Sequence, residues 1–177
     1  MLTLKGEKLY LRALEPEDLE FLHDLENNEE FWEVSATQAP FSKFILKKYL
    51  ENSHLDIYEV KQLRLVICNL KKHPIGLIDI FDFEPRDRRA AIGILIAKPE
   101  ERQKGFGAES LSLVCKYCFK HLGLHQVYAN ITADNERSLR LFENCGFTQA
   151  GLKKEWTFID GRFKDEYLYQ LINKNVH

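Results

Sequence analysis

The sequence predicts an α/β (α+β) chain with a mixed, mostly antiparallel central sheet flanked by helices on both faces. Three observations carry that expectation. Three Val/Ile/Leu-rich runs follow one another across short charged turns, the pattern of an antiparallel meander. A long helical segment then separates the third run from a fourth, a crossover that makes the sheet mixed. Near the C-terminus, Asp160-Gly161 sits between two alternating runs, the strongest short-range hairpin signal.

The elements follow in order. "LKGEKLYLRAL" (4–14) alternates and reads as a first strand. "EPEDLEFLHDLENN" opens a helix, with Pro16 and adjacent acids suited to a first turn and Leu19, Leu22 and Leu25 at helical spacing. "EEFWEVSATQAPF" has no clear period and reads as a loop, and a second helix starts near Ser42 with "KFILKKYLEN". The meander strands are 63–70, 74–83 and 90–97. A helix from Phe106 to Leu122 places Leu111, Val114, Cys118 and Leu122 on one side. A strand at 125–132 and a helix at 135–146 follow, the latter closed by Gly146. The hairpin "LKKEWTFIDGRFKDEYLYQLI" completes the order.

No repeat, low-complexity tract or linker divides the 177 residues, so one domain over residues 1–177 is expected. At 45% hydrophobic and 29% charged, the chain has enough apolar material for a core. A net charge of −2 gives no reason to expect a nucleic-acid partner or a membrane surface. No run approaches the roughly 20 apolar residues of a membrane span. The N-terminal stretch lacks the pattern of a signal peptide, so a cytoplasmic location is expected. Four scattered cysteines, at 68, 115, 118 and 145, do not make a disulfide framework.

The stretch "KPEERQKGFGAESL" (98–111) carries the chemistry. It joins a strand that stops at Pro99 to the start of a helix, whose unpaired N–H groups and dipole suit an anion. Gly105 and Gly107 leave room for a phosphate to meet the backbone, and Arg102 and Lys104 add charge. Neither usual nucleotide motif fits, because position 110 is Ser110 and no Gly-Lys-Ser/Thr occurs. A tight turn that needs glycine only for steric reasons would look the same.

Arg102-x-x-Gly105-x-Gly107, followed by a helix, a strand and "NERSLRLFENCGF", resembles the GNAT N-acetyltransferase superfamily. Asn135, Ser138, Gly146 and Phe147 match that family's later segment, and the element order is similar over nearly the whole chain. "PRDRRAAIGILIAKPEERQKGFG" and "FIDGRFKDEYLYQL" look most like the spermidine acetyltransferases and the ribosomal-protein N-terminal acetyltransferases. The resemblance implies acetyl-CoA as cosubstrate. It implies that the backbone of Ile94, Leu95 and Ile96 pairs with the pantetheine arm. The amides of Gln103, Lys104, Gly105, Phe106, Gly107 and Ala108 are implied to hold the pyrophosphate, with Asn135, Ser138 and Phe142 along the cofactor.

Acetyl transfer needs an unprotonated amine, and a primary amine near pKa ~10.4 is almost wholly charged at neutral pH. A carboxylate is the common proton acceptor. Asp82 and Glu84 lie two apart on a strand and so share a face, with Asp79 on the other unless a bulge intervenes. Asp82 aligns best with the acid of the polyamine enzymes, and Glu33 in "FWEV" is a candidate contact for a cationic substrate. The family's tyrosine beside the CoA sulfur is replaced by Phe142, which has no hydroxyl, so Ser138 or a water is the expected substitute.

Cys115, Cys118 and His121 fall within one helix, whereas structural zinc sites use separated ligand pairs, so core packing is expected there and no metal. Trp156, Phe158, Phe163, Tyr167 and Tyr169 alternate on the hairpin and read mainly as sheet packing. The whole points to an N-acetyltransferase acting on a primary amine, with a small cationic amine such as a polyamine first and a protein N-terminus second. A CoA-binding module without catalysis is the rival of a different class. An exposed sheet edge is the expected site of any pairing between copies.

Overall fold

The computed structural model describes residues 4–174. Seven strands form one sheet: β1 (Leu9–Ala13), β2 (Leu63–Asn69), β3 (Pro74–Glu84), β4 (Arg89–Ile96), β5 (Gln126–Thr132), β6 (Thr148–Ile159) and β7 (Arg162–Ile172). Their order across the sheet is β1-β2-β3-β4-β5-β7-β6. Only β4 and β5 run parallel; every other neighbour pair is antiparallel. The helices are α1 (Leu19–Glu26), α2 (Trp32–Ser35), α3 (Lys43–Glu51), α4 (Ile57–Val60), α5 (Phe106–Lys120) and α6 (Glu136–Asn144).

Both faces of the sheet are buried at its centre, so β2 reads as an unbroken apolar run rather than an alternation. Leu65 and Ile67 join the core under α5, with Ile78, Ile80, Leu111, Val114 and Cys118. Val66 and Cys68 point the other way, into a second core with Leu22, Leu25, Leu46 and Leu50 of α1 and α3. Cys115 and Cys118 therefore act as small apolar residues on the buried side of α5. Arg64 ties the α1 side to the sheet: it grips Asp79 at 2.7 and 2.9 Å and Glu26 at 2.5 Å. Among the described residues, no helix is long and apolar enough to cross a membrane.

Several boundaries differ from the pattern-based expectation. The first strand is shorter than 4–14, because Gly6 N–H donates to the Leu9 carbonyl and turns the chain ahead of Leu9. The aperiodic "EEFWEVS" holds a 3-10 turn, Glu29–Phe31, and α2. Asn28 caps the first of these through Glu30 N–H, and left-handed Ala36 ends the second. Turns this short leave no period to read.

A bulge changes the end of β3. The ladder passes from Phe81↔Ala91 to Glu84↔Arg89, one residue extra on β3, and Asp82 takes a left-handed φ of 47°. The Phe83 amide leaves the ladder and donates to the Lys61 carbonyl at 3.2 Å. Phe83, not Asp82, then joins Ile78 and Ile80 in the α5-side core. The two-residue spacing of Asp82 and Glu84 thus does not place them on one face. The aromatic expectation also needs correcting, since Trp156, Phe158 and Phe163 are largely exposed and only Tyr169 is buried. Register shifts along β6, with left-handed Glu155, explain why alternation failed there.

β4 is located by its fit to β3. Gly76 lies opposite Ile96, and a Cβ there would run into the Leu95 carbonyl oxygen. Gly76→Ala is expected to destabilise the protein by about 1–3 kcal/mol through overpacking. The check is denaturant unfolding, with a lower midpoint at unchanged slope.

Candidate functional site

The site begins where two strands part. β4 and β5 pair only at Arg89↔Gln126, Ala90↔Val127 and Ala91↔Tyr128. Both continue, β4 to Ile96 and β5 to Thr132, each still held on its other side by β3 or β7. From Ile92 onward β4 therefore has an edge with no strand beside it, in the middle of a sheet. Such an edge offers backbone donors and acceptors to an extended ligand that carries amides.

A cavity of about 490 Å³ opens at this split, lined by Ile94, Leu95 and Ile96 of β4 and by the start of α5. Gly105 precedes α5 at φ 84°, left-handed, and no side chain caps the helix. The left-handed φ makes Gly105 the residue that the turn requires. A Cβ on Gly107 would meet the Leu141 methyls of α6 at 3.4 Å, near ordinary contact. Between the two glycines the uncapped N–H groups of α5 face the cavity, an arrangement suited to phosphate.

Arg102, Gln103, Gly105, Gly107 and Ala108 line this cavity, as do Asn135 and Ser138. Lys104 and Phe106 do not; Lys104 pairs with Glu101 at 3.5 Å, and Phe106 packs against the core. Arg102 is already engaged. Its guanidinium meets Glu30 at 2.8 Å, lies 5.3 Å from the Phe31 ring centre, and donates to the Ile96 carbonyl at 3.4 Å. It bolts the α2 region to the end of β4.

Pattern reading missed Arg137, Arg140, Leu141 and Asn144, which line the same cavity from α6. Arg137, Leu141 and Asn144 recur at helical spacing, a signal present in the sequence but meaningful only once α6 is docked. Burial, then the nearby Arg102, hold the Arg137 guanidinium below its ordinary value. A bound anion would relieve both.

A smaller cavity of about 160 Å³ adjoins the first, and Val34, Ile94, Asn135 and Ser138 line both. Phe142 and Glu33 border the smaller one, together with Glu166 and Thr157, which pattern reading did not single out. Phe142 is buried edge-on against Phe147 at 4.9 Å. Asn135 caps α6 by accepting the Ser138 N–H at 3.2 Å, which fixes Ser138 at the junction. Glu33 accepts from Lys164 at 2.7 Å, and Asp134 takes the same ammonium at 2.9 Å. Those two carboxylates, Glu33 first, raise Lys164 above the ordinary lysine value. Glu166 pairs with Lys153 at 2.6 Å.

Asp82 and Glu84 line neither cavity. Glu84 accepts the Arg86 amide at 3.0 Å and so shapes the β3–β4 turn. Asp82 is exposed, yet near enough to Tyr128 of β5 to add to the effect of burial in raising that phenol.

The comparisons with known proteins agree with this geometry. A model of the acetyltransferase (GNAT) domain matches residues 8–148. The spermidine N(1)-acetyltransferase of Vibrio cholerae is 34% identical over 97% of this chain and 98% of its own length. That of Escherichia coli (strain K12) is 29% identical over 88% of this chain and 81% of its own. The crystal structure of the Vibrio cholerae spermidine N-acetyltransferase in complex with CoA and spermine superposes with a TM-score of 0.84. It is 32% identical and covers 94% of this chain and 96% of that one. With a split strand pair, an uncapped helix start and a family match over residues 8–148 in agreement, the chain belongs to the GNAT acetyltransferase family and is an N-acetyltransferase that uses acetyl-CoA.

Proposed function

We propose that this chain acetylates a primary amine of a polyamine. The observation that carries this is the junction of two unlike cavities, one suited to an anion and one bordered by carboxylates, at Ile94, Asn135 and Ser138. Its support from outside the chain is the similarity to spermidine acetyltransferases, one of them crystallised with CoA and spermine.

In this reading the open edge of Ile94, Leu95 and Ile96 pairs with the pantetheine amides. The N–H groups from Gln103 to Ala108 hold the pyrophosphate, with Arg137 facing it. Acetyl-CoA supplies a thioester carbonyl that an amine nitrogen can attack. Asn135 and Ser138 stand at the cavity junction and position that group. Phe142 excludes water without a hydroxyl, so a hydrogen bond to the leaving sulfur falls to Ser138 or to water. Glu33 borders the smaller cavity that receives the cationic acceptor, with Lys164 already on its carboxylate, and Asp82, on the sheet beside Tyr128, holds a distal ammonium. Glu84 shapes a turn instead. Four unpaired cysteines suit a reducing compartment, and the cytoplasm is the proposed one. The exposed Trp156, Phe158 and Phe163 of the hairpin suit contact with a second copy.

Three outcomes are expected. CoA-thiol release should be fastest with spermidine or spermine in a panel that also holds diamines, amino acids and N-terminal peptides. Preference for a peptide would move the acceptor to a protein N-terminus. Arg137→Ala should weaken CoA binding about tenfold or more, the size of a lost charged contact, in a titration followed by calorimetry. Phe142→Tyr should raise kcat by about tenfold with little change in KM for the amine, because the added hydroxyl can bond the departing sulfur. An unchanged or lower kcat would mean that the ring's packing against Phe147 forbids that geometry.

A further inference from the structure

We infer that Glu166 of β7 receives the reacting ammonium of the acceptor and takes its proton. This rests on the polyamine reading above and names the group that performs its first chemical step.

Position is the first ground. Glu166 borders the smaller cavity together with Ser138 and Phe142, and Ser138 also lines the larger one, so the carboxylate shares a cavity with a residue of the junction. The ladders fix this placement: Thr132 of β5, Glu166 of β7 and Lys153 of β6 lie opposite one another across the sheet. Of the two carboxylates that border this cavity, Glu166 is the more enclosed, 14% exposed against 33% for Glu33.

Its partner is the second ground. The carboxylate already holds an ammonium, Lys153 Nζ at 2.6 Å, and the same nitrogen donates to Asn130 Oδ1 at 3.1 Å. Lys153 is the more exposed member of the pair, at 31%. It also lies 4.7 Å from the Trp156 ring centre, so an arriving ammonium must draw it from Asn130 and that ring as well as from Glu166. Lys164 is 11% exposed and bridges two carboxylates, Glu33 and Asp134. The cavity is thus bordered by one lysine held by a single carboxylate and one held by two, and the first is the easier to displace. The charged groups that face Glu166 are Lys153 from β6 and, across the cavity, Glu33 of α2 with its partner Lys164.

The third ground is an unspent hydroxyl. Thr157 Oγ1 borders the same cavity, is closed off from solvent, and has no hydrogen-bond partner among the described residues. A hydroxyl carries one donor and two acceptor positions. An ammonium seated on Glu166 would give one N–H to the carboxylate and one to Thr157, and once the first proton is lost, rotation about the amine's own C–N bond turns the lone pair toward the thioester. The step balances simply. An N–H bond breaks, an O–H bond forms on Glu166, and the freed lone pair makes the C–N bond as the C–S bond opens. The thiolate leaves with the electron pair, the new amide nitrogen loses its second proton to it, and Glu166 returns its own proton to water.

The test compares wild type with Glu166→Gln, Glu166→Asp, Thr157→Val and Lys153→Met, using spermidine and acetyl-CoA. Glu166→Gln should lower kcat/KM by ~10²-fold or more, the range for loss of a general base. Its thermal stabilisation by CoA should stay as in wild type, which shows that the fold and cofactor site survive. Aspartate should restore part of the loss, and Thr157→Val should raise KM several-fold. Lys153→Met should lower KM for spermidine, since the internal competitor is gone. Wild-type turnover with an unimpaired Glu166→Gln overturns this inference alone and leaves the pair as a cross-strand tie. Absence of polyamine turnover by the wild type overturns the polyamine reading, and this one with it.

Discussion

The structure depends on an interruption of pairing. β4 and β5 share three residue pairs and then separate, although nothing in either strand ends there. Each is held by its far neighbour, β4 by β3 and β5 by the whole length of β7. The split is thus rigid on both sides. An unpaired backbone edge inside a sheet is costly to a chain that could close it. Here the split opens into the two cavities, bordered by the start of α5, the capped start of α6 and Arg102, which is tied to Glu30 and Phe31. The fold thus leaves backbone groups of β4 from Ile92 onward without a strand, an edge of the kind that an amide-bearing ligand can pair with.

The two cavities differ in charge for reasons that trace to particular elements. The larger collects cations and amide N–H groups because a helix start and the Arg-bearing side of α6 converge on it. The smaller collects carboxylates because α2 brings Glu33 across the sheet and β7 brings Glu166 from beneath. Ser138 lines both cavities, and in the smaller one each carboxylate is already paired with a lysine. The residues common to both cavities, Val34, Ile94, Asn135 and Ser138, make the passage between them half apolar and half polar.

Much of this was legible in the sequence, since local rules decided it. The meander, the α5 periodicity and the Asp160-Gly161 hairpin all read correctly because each depends on a few neighbouring residues, whereas the capping of α6 by Asn135 went unread. The bulge at Asp82 did not, because a left-handed aspartate leaves no mark on an alternating run. Glu166 was hidden for a different reason. In the pattern it is one more polar residue of a hairpin, and only the order β5-β7-β6 brings its strand beside the cavity. Nothing local reveals that the last strand inserts between the fifth and the sixth. Arg137 likewise had its helical spacing on view but no face to point at until α6 was docked.

The replacement of the family's tyrosine by Phe142 can be weighed against the rest of the reaction. Freeing a primary amine of pKa ~10.4 at pH 7 costs about 4.6 kcal/mol. A tyrosine near ~10 gives its proton to a thiolate near ~8.5 only uphill, by about 2 kcal/mol, so its help to the sulfur is mostly one hydrogen bond. A bond of that kind contributes about 1.5–3 kcal/mol when one partner is charged. The nitrogen side of the reaction is therefore the larger obstacle, and a chain that lacks the phenol has not lost its main catalytic resource. What it cannot lack is a carboxylate beside the amine. If Glu166 in the smaller cavity takes the amine's proton, the greater need is met, and the sulfur, already the better leaving group, requires only a serine or water.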